Sequence, residues 1–220
     1  MSISDHIKDI KNELSQDIIL IAVSKTRSVS EMQEAYECGI RDFGENKVQE
    51  LITKYDKLPN IRWHFIGNLQ KNKVKYLVDK VYLIHSLDSI RLLKEIEKQY
   101  KKKDKIAQVL IEINIGEETS KGGIILSELQ ELINAVEICS NVKVKGLMAI
   151  IPKGSEEECR YYFKSMKSIW DRLSNESYKN IEMKYLSMGM TNDYKLAIEE
   201  GANTIRIGEG IFGKRIYRRE

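Results

Sequence analysis

Ile19-Leu20-Ile21-Ala22-Val23-Ser24-Lys25-Thr26 sets the reading of the whole chain. An apolar run without polar alternation reads as a strand buried on both faces, which is the habit of parallel sheets. The run delivers a lysine at its C-terminal end. A second run of the same kind, Thr204-Ile205-Arg206-Ile207, leads into Gly208-Glu209-Gly210.

Outward from these two, eight apolar, β-branched runs can be marked. They are Ile18 to Val23, Ile40 to Phe43, Arg62 to Ile66, Val81 to Ile84, Ala107 to Ile113, Val144 to Ile150, Met183 to Ser187 and Thr204 to Ile207. Helical periodicity lies between them, over Ser30 to Cys38, Glu45 to Lys57, Ser89 to Lys102, Leu126 to Ile138 and Glu156 to Leu173. Strands separated by helices pair in parallel through right-handed crossovers. Eight of them predict an α/β fold, a single TIM (β/α)8 barrel. An open doubly wound sheet is the alternative, but no Gly-x-Gly-x-x-Gly follows the first strand. Asp5 to Leu14 reads as an extra N-terminal helix that caps the bottom of the barrel. Helix starts are placed at Ser30, Ser89 and Thr191, and helix stops at Gly39 and Gly201.

The chain has 220 residues, within the range of one barrel, so one domain over residues 1–220 is expected. Its net charge of +3, from 36 basic and 33 acidic side chains, argues against nucleic acid as a main partner. Lys101-Lys102-Lys103 reads as a solvated helix end. Cys38, Cys139 and Cys159 form no metal or disulfide pattern, which suits a reducing compartment. The N-terminus carries charges where a signal peptide needs an apolar core, and no run approaches a membrane span. A cytoplasmic location is the resulting expectation.

Barrel chemistry gathers at the C-terminal ends of strands. Those ends present Lys25, Asn46, Asn68, His85, Asn114, Met148, the turn Ser187-Met188-Gly189-Met190-Thr191, and Arg206 with Gly208 and Glu209. Lys25 is either a solvated loop lysine or, partly desolvated, a nucleophilic amine for a Schiff base. Gly189, Gly208 and Gly210 let backbone amides approach an anion, with hydroxyls from Ser187 and Thr191. An amine and two such turns suggest a pocket for an aldehyde-bearing phosphate cofactor. Arg206 is either paired with a carboxylate or a donor to a ring nitrogen or phosphate. His64 reads as a packed or supporting residue. A His64, His85 and Asp88 trio has no fixed geometry, and Asp42 with Glu45 does not define a glycosidase cleft. No metal site is read.

Six stretches carry a resemblance. They are Val23-Ser24-Lys25-Thr26, Phe43-Gly44-Glu45-Asn46, Trp63-His64-Phe65-Ile66-Gly67-Asn68-Leu69-Gln70, Gly146-Leu147-Met148-Ala149-Ile150, Leu186-Ser187-Met188-Gly189-Met190-Thr191 and Arg206-Ile207-Gly208-Glu209-Gly210-Ile211-Phe212-Gly213. Together they closely resemble the YggS/PROSC family of pyridoxal phosphate homeostasis proteins. The resemblance implies a barrel similar to the N-terminal domain of bacterial alanine racemase. It implies pyridoxal 5'-phosphate (PLP) held as a Schiff base on Lys25. Ser187, the backbone at Gly189 and Met190, and the backbone at Gly208 and Glu209 would cradle the phosphate. Arg206 would meet the pyridine nitrogen, and Asn46 and Met148 would line the ring pocket. Asn68, Lys71 and the Thr191-Asn192 pair depart from the usual family pattern, as does Glu209, whose charge sits beside the expected cradle.

Members of that family are regarded as carriers or regulators of vitamin B6. The implied role is PLP homeostasis without turnover, in a monomer that touches PLP-dependent apoenzymes transiently. The alternative is an amino-acid racemase, which needs a base on each face of the carbanion. The resembling racemases supply the second base as a tyrosine on the other face across a dimer, with help from a second domain. Seven residues after Gly213 leave no room for one, so binding is expected over catalysis.

Overall fold

The computed structural model describes residues 2–214. Eight parallel strands close into a barrel in sequence order, and β8 pairs back onto β1. The strands are β1 (Ile19–Val23), β2 (Asp42–Glu45), β3 (Arg62–Phe65), β4 (Leu83–Leu87), β5 (Ala107–Glu112), β6 (Val142–Met148), β7 (Ile181–Ser187) and β8 (Thr204–Ile207). Helices α1 (Ile3–Glu13), α2 (Val29–Glu37), α3 (Val48–Lys54), α4 (Ile90–Lys101), α5 (Leu129–Glu137), α6 (Glu156–Ser174), α7 (Tyr194–Glu199) and α8 (Glu209–Phe212) accompany them. A six-residue 3-10 segment, Lys71–Tyr76, replaces the crossover helix between β3 and β4.

Local sequence explains several helix starts. Ser2 with Asp5, Ser28 with Glu31, and Ser155 with Glu158 form reciprocal capping boxes, each satisfying two orphan backbone donors. The cap of α2 is therefore Ser28, two residues before the serine expected from periodicity. Ser89 caps α4 as expected. Thr191 does not cap α7, whose preceding residue is Asp193. Gly39 and Gly201 end their helices at φ +82° and +97°.

Two layers of packing hold the barrel. Leu20 and Ala22 of β1 belong to the large shell between sheet and helices, with Met32, Phe43, Leu51 and Trp63. Ile19 instead packs with Leu83, Leu110, Met148 and Tyr185. Those residues lie on β4 to β7, across the barrel from β1, so this smaller cluster fills the interior. Each fully buried side chain of this size contributes about 1.5–3 kcal/mol. Helix α1 packs against α2 and α8, and His6 Nδ1 donates to the Ile211 carbonyl at 2.9 Å. It does not cap the bottom as expected: the N-terminal mouth is lined by strand residues including Asp42, Arg62 and Lys184, and by none from α1.

Strand boundaries moved where interior positions are polar. β2 runs Asp42–Glu45 instead of starting at Ile40, and β4 continues through His85, Ser86 and Leu87. All of these residues are buried. Asp42 and His85 find their partners on other strands, so apolarity alone marks the strands incompletely.

Candidate functional site

At the C-terminal mouth the strand ends surround a cavity of about 650 Å³. Lys25, Asn46, Ile66, Met190, Thr191, Arg206, Gly208 and Glu209 line it. Loops after β1, β2, β3, β7 and β8 thus bring together residues up to nearly two hundred positions apart.

Lys25 is half-buried and held by a tight turn. Arg27 N–H donates to the Ser24 carbonyl at 2.9 Å, and Thr26 takes a left-handed φ of 64°. The Thr26 amide donates to Glu50 Oε1 at 2.5 Å. Beneath the turn Lys54 Nζ donates to the Ser24 carbonyl, to Glu45 Oε1 and to Glu50 Oε1, at 2.8, 2.8 and 2.7 Å. Burial nevertheless raises the Glu45 carboxyl, against the pull of Lys54. The anchor of the Lys25 turn is therefore a desolvated ion cluster.

Arg206 is 4% exposed, and its guanidinium forms no ion pair among the described residues. Nη1 donates to Ser187 Oγ at 2.7 Å and Nη2 to the Ala149 carbonyl at 3.0 Å. Burial lowers its pKa to about 10, although Glu112 and Asp193 lie within electrostatic reach. A guanidinium has five N–H donors, so donors remain beyond these two bonds.

The expected cradle residues separate into two groups. Thr191, Met190, Gly208 and Glu209 lie on the cavity wall. Thr191 Oγ1 accepts from the Gly210 amide at 3.2 Å, which ties the loop after β7 to the start of α8. Ser187 is fully buried beneath the wall, engaged with Arg206 and with His85 Nδ1 at 3.1 Å. Its hydroxyl faces the barrel interior, and Thr191 supplies the hydroxyl at the mouth. Met148 likewise sits in the interior cluster, not on the wall. Gly189 holds φ +91°, and a Cβ there would lie 2.6 Å from that of Ala197.

Asn46 Oδ1 is buried on this cavity with no hydrogen-bond partner. A buried orphan acceptor costs about 1–3 kcal/mol, and a ligand that donates to it or displaces it relieves that cost. Gly67 fixes this residue from behind, since a Cβ on Gly67 would stand 2.3 Å from the Asn46 carbonyl oxygen. Gly67→Ala is expected to push Asn46 off its position and weaken ligand binding roughly tenfold, about 1.4 kcal/mol. Titration of the variant against wild type checks this. Equal affinities would remove Asn46 from the site.

His64 and His85 are joined, Nδ1 to Nε2 at 2.9 Å, but Asp88 is not their partner. Asp42 is: its Oδ1 lies 2.9 Å from His64 Nε2. Asp42 and Glu45 point to opposite faces of β2, as their odd separation requires. Sequence reasoning missed Cys159 and Lys153 at the cavity rim, which come from the long loop before α6 and from its first turns. It also missed the Glu45–Lys54 pair, nine residues apart.

The fold and its mouth define a barrel of the alanine racemase type: the family model "Alanine racemase, N-terminal domain" matches residues 2–215. The chain is 46% identical over 201 residues to the pyridoxal phosphate homeostasis protein of Aquifex aeolicus, covering 90% of this chain and 87% of that one. It is 37% identical over 210 residues to the Escherichia coli protein of the same name, covering 93% and 89%. PipY of Synechococcus elongatus, solved with PLP bound, superposes with a TM-score of 0.89 at 30% identity, covering 96% of this chain and all of PipY (100%). Clostridium difficile alanine racemase shares the fold at a TM-score of 0.79 and 15% identity, with 60% of its length covered. The chain belongs to the YggS/PROSC family of pyridoxal phosphate homeostasis proteins.

Proposed function

We propose that this chain binds pyridoxal 5'-phosphate at the C-terminal mouth of its barrel and serves intracellular PLP homeostasis as a carrier, not as an enzyme. One observation carries the reading: a lysine amine, a buried guanidinium and an orphan amide oxygen share one cavity wall. The donor set fits the group. Lys25 is the amine with which the cofactor's aldehyde condenses. Arg206 turns its remaining donors to the ring nitrogen, and Asn46 faces the ring substituents. Thr191, with the backbone of Gly208 and Glu209, holds the phosphate; the Met190 amide, expected in the cradle, donates instead to Asp193 Oδ1 at 2.5 Å, and the Glu209 side chain is exposed. Gly189 shapes that loop, and Ser187 and Met148 support the floor from below.

Bound PLP can act as an electron sink for amino-acid chemistry. Arg206 opposes that use, because a cation at the ring nitrogen disfavours protonation there. Among the described residues no helix is long and apolar enough to cross a membrane. We place the carrier in the cytoplasm as a monomer that meets PLP-dependent apoenzymes transiently at the cavity rim, where Ile150 and Met190 are exposed.

Borohydride reduction in the presence of PLP, followed by peptide mapping, tests the anchor. Label is expected at Lys25. Lys25→Ala should lose the covalent adduct and keep weak phosphate binding. Equal labelling of that variant would refute the assignment. Exchange of the Cα hydrogen of added alanine would overturn the carrier reading in favour of a racemase.

A further inference from the structure

The barrel interior is not uniformly apolar. A file of polar side chains crosses it from one mouth to the other. Arg206 Nη1 meets Ser187 Oγ at 2.7 Å, Ser187 Oγ meets His85 Nδ1 at 3.1 Å, His85 Nε2 meets His64 Nδ1 at 2.9 Å, and His64 Nε2 meets Asp42 Oδ1 at 2.9 Å. These residues come from β8, β7, β4, β3 and β2. The step from β7 to β4 spans strands that are not neighbours, so the file runs through the lumen. Each member is at least nine-tenths buried.

The Asp42 end sets the order of the protons. Asp42 as a carboxylate can only accept, so His64 donates to it from Nε2. A neutral His64 then has a bare Nδ1, which accepts from His85 Nε2–H. A neutral His85 has a bare Nδ1 in turn, which accepts the Ser187 hydroxyl hydrogen, while Ser187 Oγ accepts from Arg206. Asp42 closes the file as a carboxylate. Arg62 pairs with it, Nε to Oδ1 at 2.7 Å and Nη2 to Oδ2, and holds it below the usual carboxylate range together with His64, against the effect of burial. Burial opposes the charged imidazolium form at both histidines. The rings are further locked edge to face, His64 on His85 at 5.1 Å and on Tyr82 at 5.7 Å between centroids.

We propose that Ser187, His85, His64 and Asp42 form a one-way hydrogen-bonded relay that positions Arg206 at the cofactor mouth. They are positioning residues: none lines the cavity, and each acts through the next. The relay explains why a buried guanidinium needs no carboxylate beside it. Its acceptor is a hydroxyl whose own hydrogen is drawn toward a carboxylate three links away. Chains of this kind strengthen cooperatively in a low-dielectric interior. They also fix histidine tautomers as a carboxylate does in a catalytic triad. The consequence for PLP rests on the cofactor site proposed above.

Two measurements separate the relay from that site. Long-range nitrogen–proton NMR on the protein without cofactor should find His64 and His85 both neutral, with hydrogen on Nε2, around neutral pH. An imidazolium or an Nδ1–H tautomer at either would overturn the relay whether or not PLP binds. With PLP, Ser187→Ala should bind roughly ten- to hundredfold more weakly, the loss of one hydrogen bond to a charged group. The visible band of the bound cofactor should move while Lys25 still takes label at saturation. His85→Leu should behave alike, and His85→Gln, which keeps an acceptor and a donor, should restore the wild-type band. Wild-type affinity and band in Ser187→Ala would refute the positioning role. Absence of Lys25 label in the wild type would refute the cofactor site and leave the histidine tautomers to decide the relay.

Discussion

Lys54→Met is expected to destabilise the barrel by about 3–5 kcal/mol, the usual loss when one partner of a buried ion pair is removed. Methionine nearly matches the lysine stem in volume, so packing changes little. The charge is what matters. Lys54 is 6% exposed and spends its ammonium hydrogens on the Ser24 carbonyl, Glu45 and Glu50. Glu45 is fully buried, Ser24 Oγ donates to its Oε1 at 2.8 Å, and its Oε2 has no partner. Without the ammonium this carboxylate has no compensating charge and must take up a proton to stay buried. Its pKa is already raised in the wild type. Stability tied to a raised carboxyl is present at low pH and fades as pH rises through the folded pKa. The defect in Lys54→Met should therefore be smaller in acid than at neutrality. Adding Glu45→Gln should recover most of it, because a buried pair replaced on both sides is often neutral. Denaturant midpoints of the single and double variants, with unchanged m-values, check this. A single variant within 1 kcal/mol of wild type at neutral pH would show that solvent reaches Glu45 after all. The functional cost follows from position. Glu50 holds the Thr26 amide, so loosening the cluster loosens the turn that presents Lys25.

Much of the barrel was legible because parallel strands are buried on both faces and read as continuous apolar runs. β1, β5 and β8 lie within a residue or so of their expected limits. The runs fail where the lumen is polar. His85 and Ser86 do not look like strand, yet they are, because Ser187 and His64 receive His85 inside. Asp42 sits in β2 for the same reason. Such partners lie 21 and 102 residues away from His85, and nothing local announces them. The site was legible through topology, since function in this architecture gathers at the strand ends. Lys25, Asn46, Arg206, Gly208 and Glu209 do meet there. Whether a residue at a strand end faces the mouth or the lumen depends on register. β6 shifts register against both β5 and β7, next to Gly146, which holds φ +142° where a Cβ would strike the Tyr185 carbonyl. Beyond that shift Met148 pairs with Ser187 at the ends of β6 and β7, both buried, whereas Thr191 lies in the loop past β7 and reaches the wall.

Glu112→Gln is expected to stabilise the protein by about 3 kcal/mol at pH ~8 and to leave it nearly unchanged at pH ~4. Glu112 ends β5 at the C-terminal mouth and is 8% exposed. The loop that follows folds over it: the Ile124 amide donates to its carbonyl at 2.9 Å, and a Cβ on Gly122 would lie 3.3 Å from its Oε1. Burial lifts the carboxyl to about 7, the Asp88 charge adds to this, and Arg206 opposes it. In the unfolded chain the same group titrates near 4.5. Below that value both states hold the proton, and the full stability is present. Between the two values the folded protein keeps a proton that the unfolded chain has released, so stability falls as pH rises. The loss is about 1.4 kcal/mol per pH unit and levels off above the folded pKa. Glutamine keeps the shape of the protonated acid and removes this slope. Denaturant unfolding of both proteins without cofactor, at about pH 4, 6 and 8, should give curves that diverge steadily. Parallel curves would mean that Glu112 ionises freely in the folded state and that the loop over it opens to water. The native carboxyl is thus a cost in stability held at the edge of the proposed cofactor site, within reach of Arg206. Retained destabilising groups of this kind mark positions where function, not folding, sets the residue.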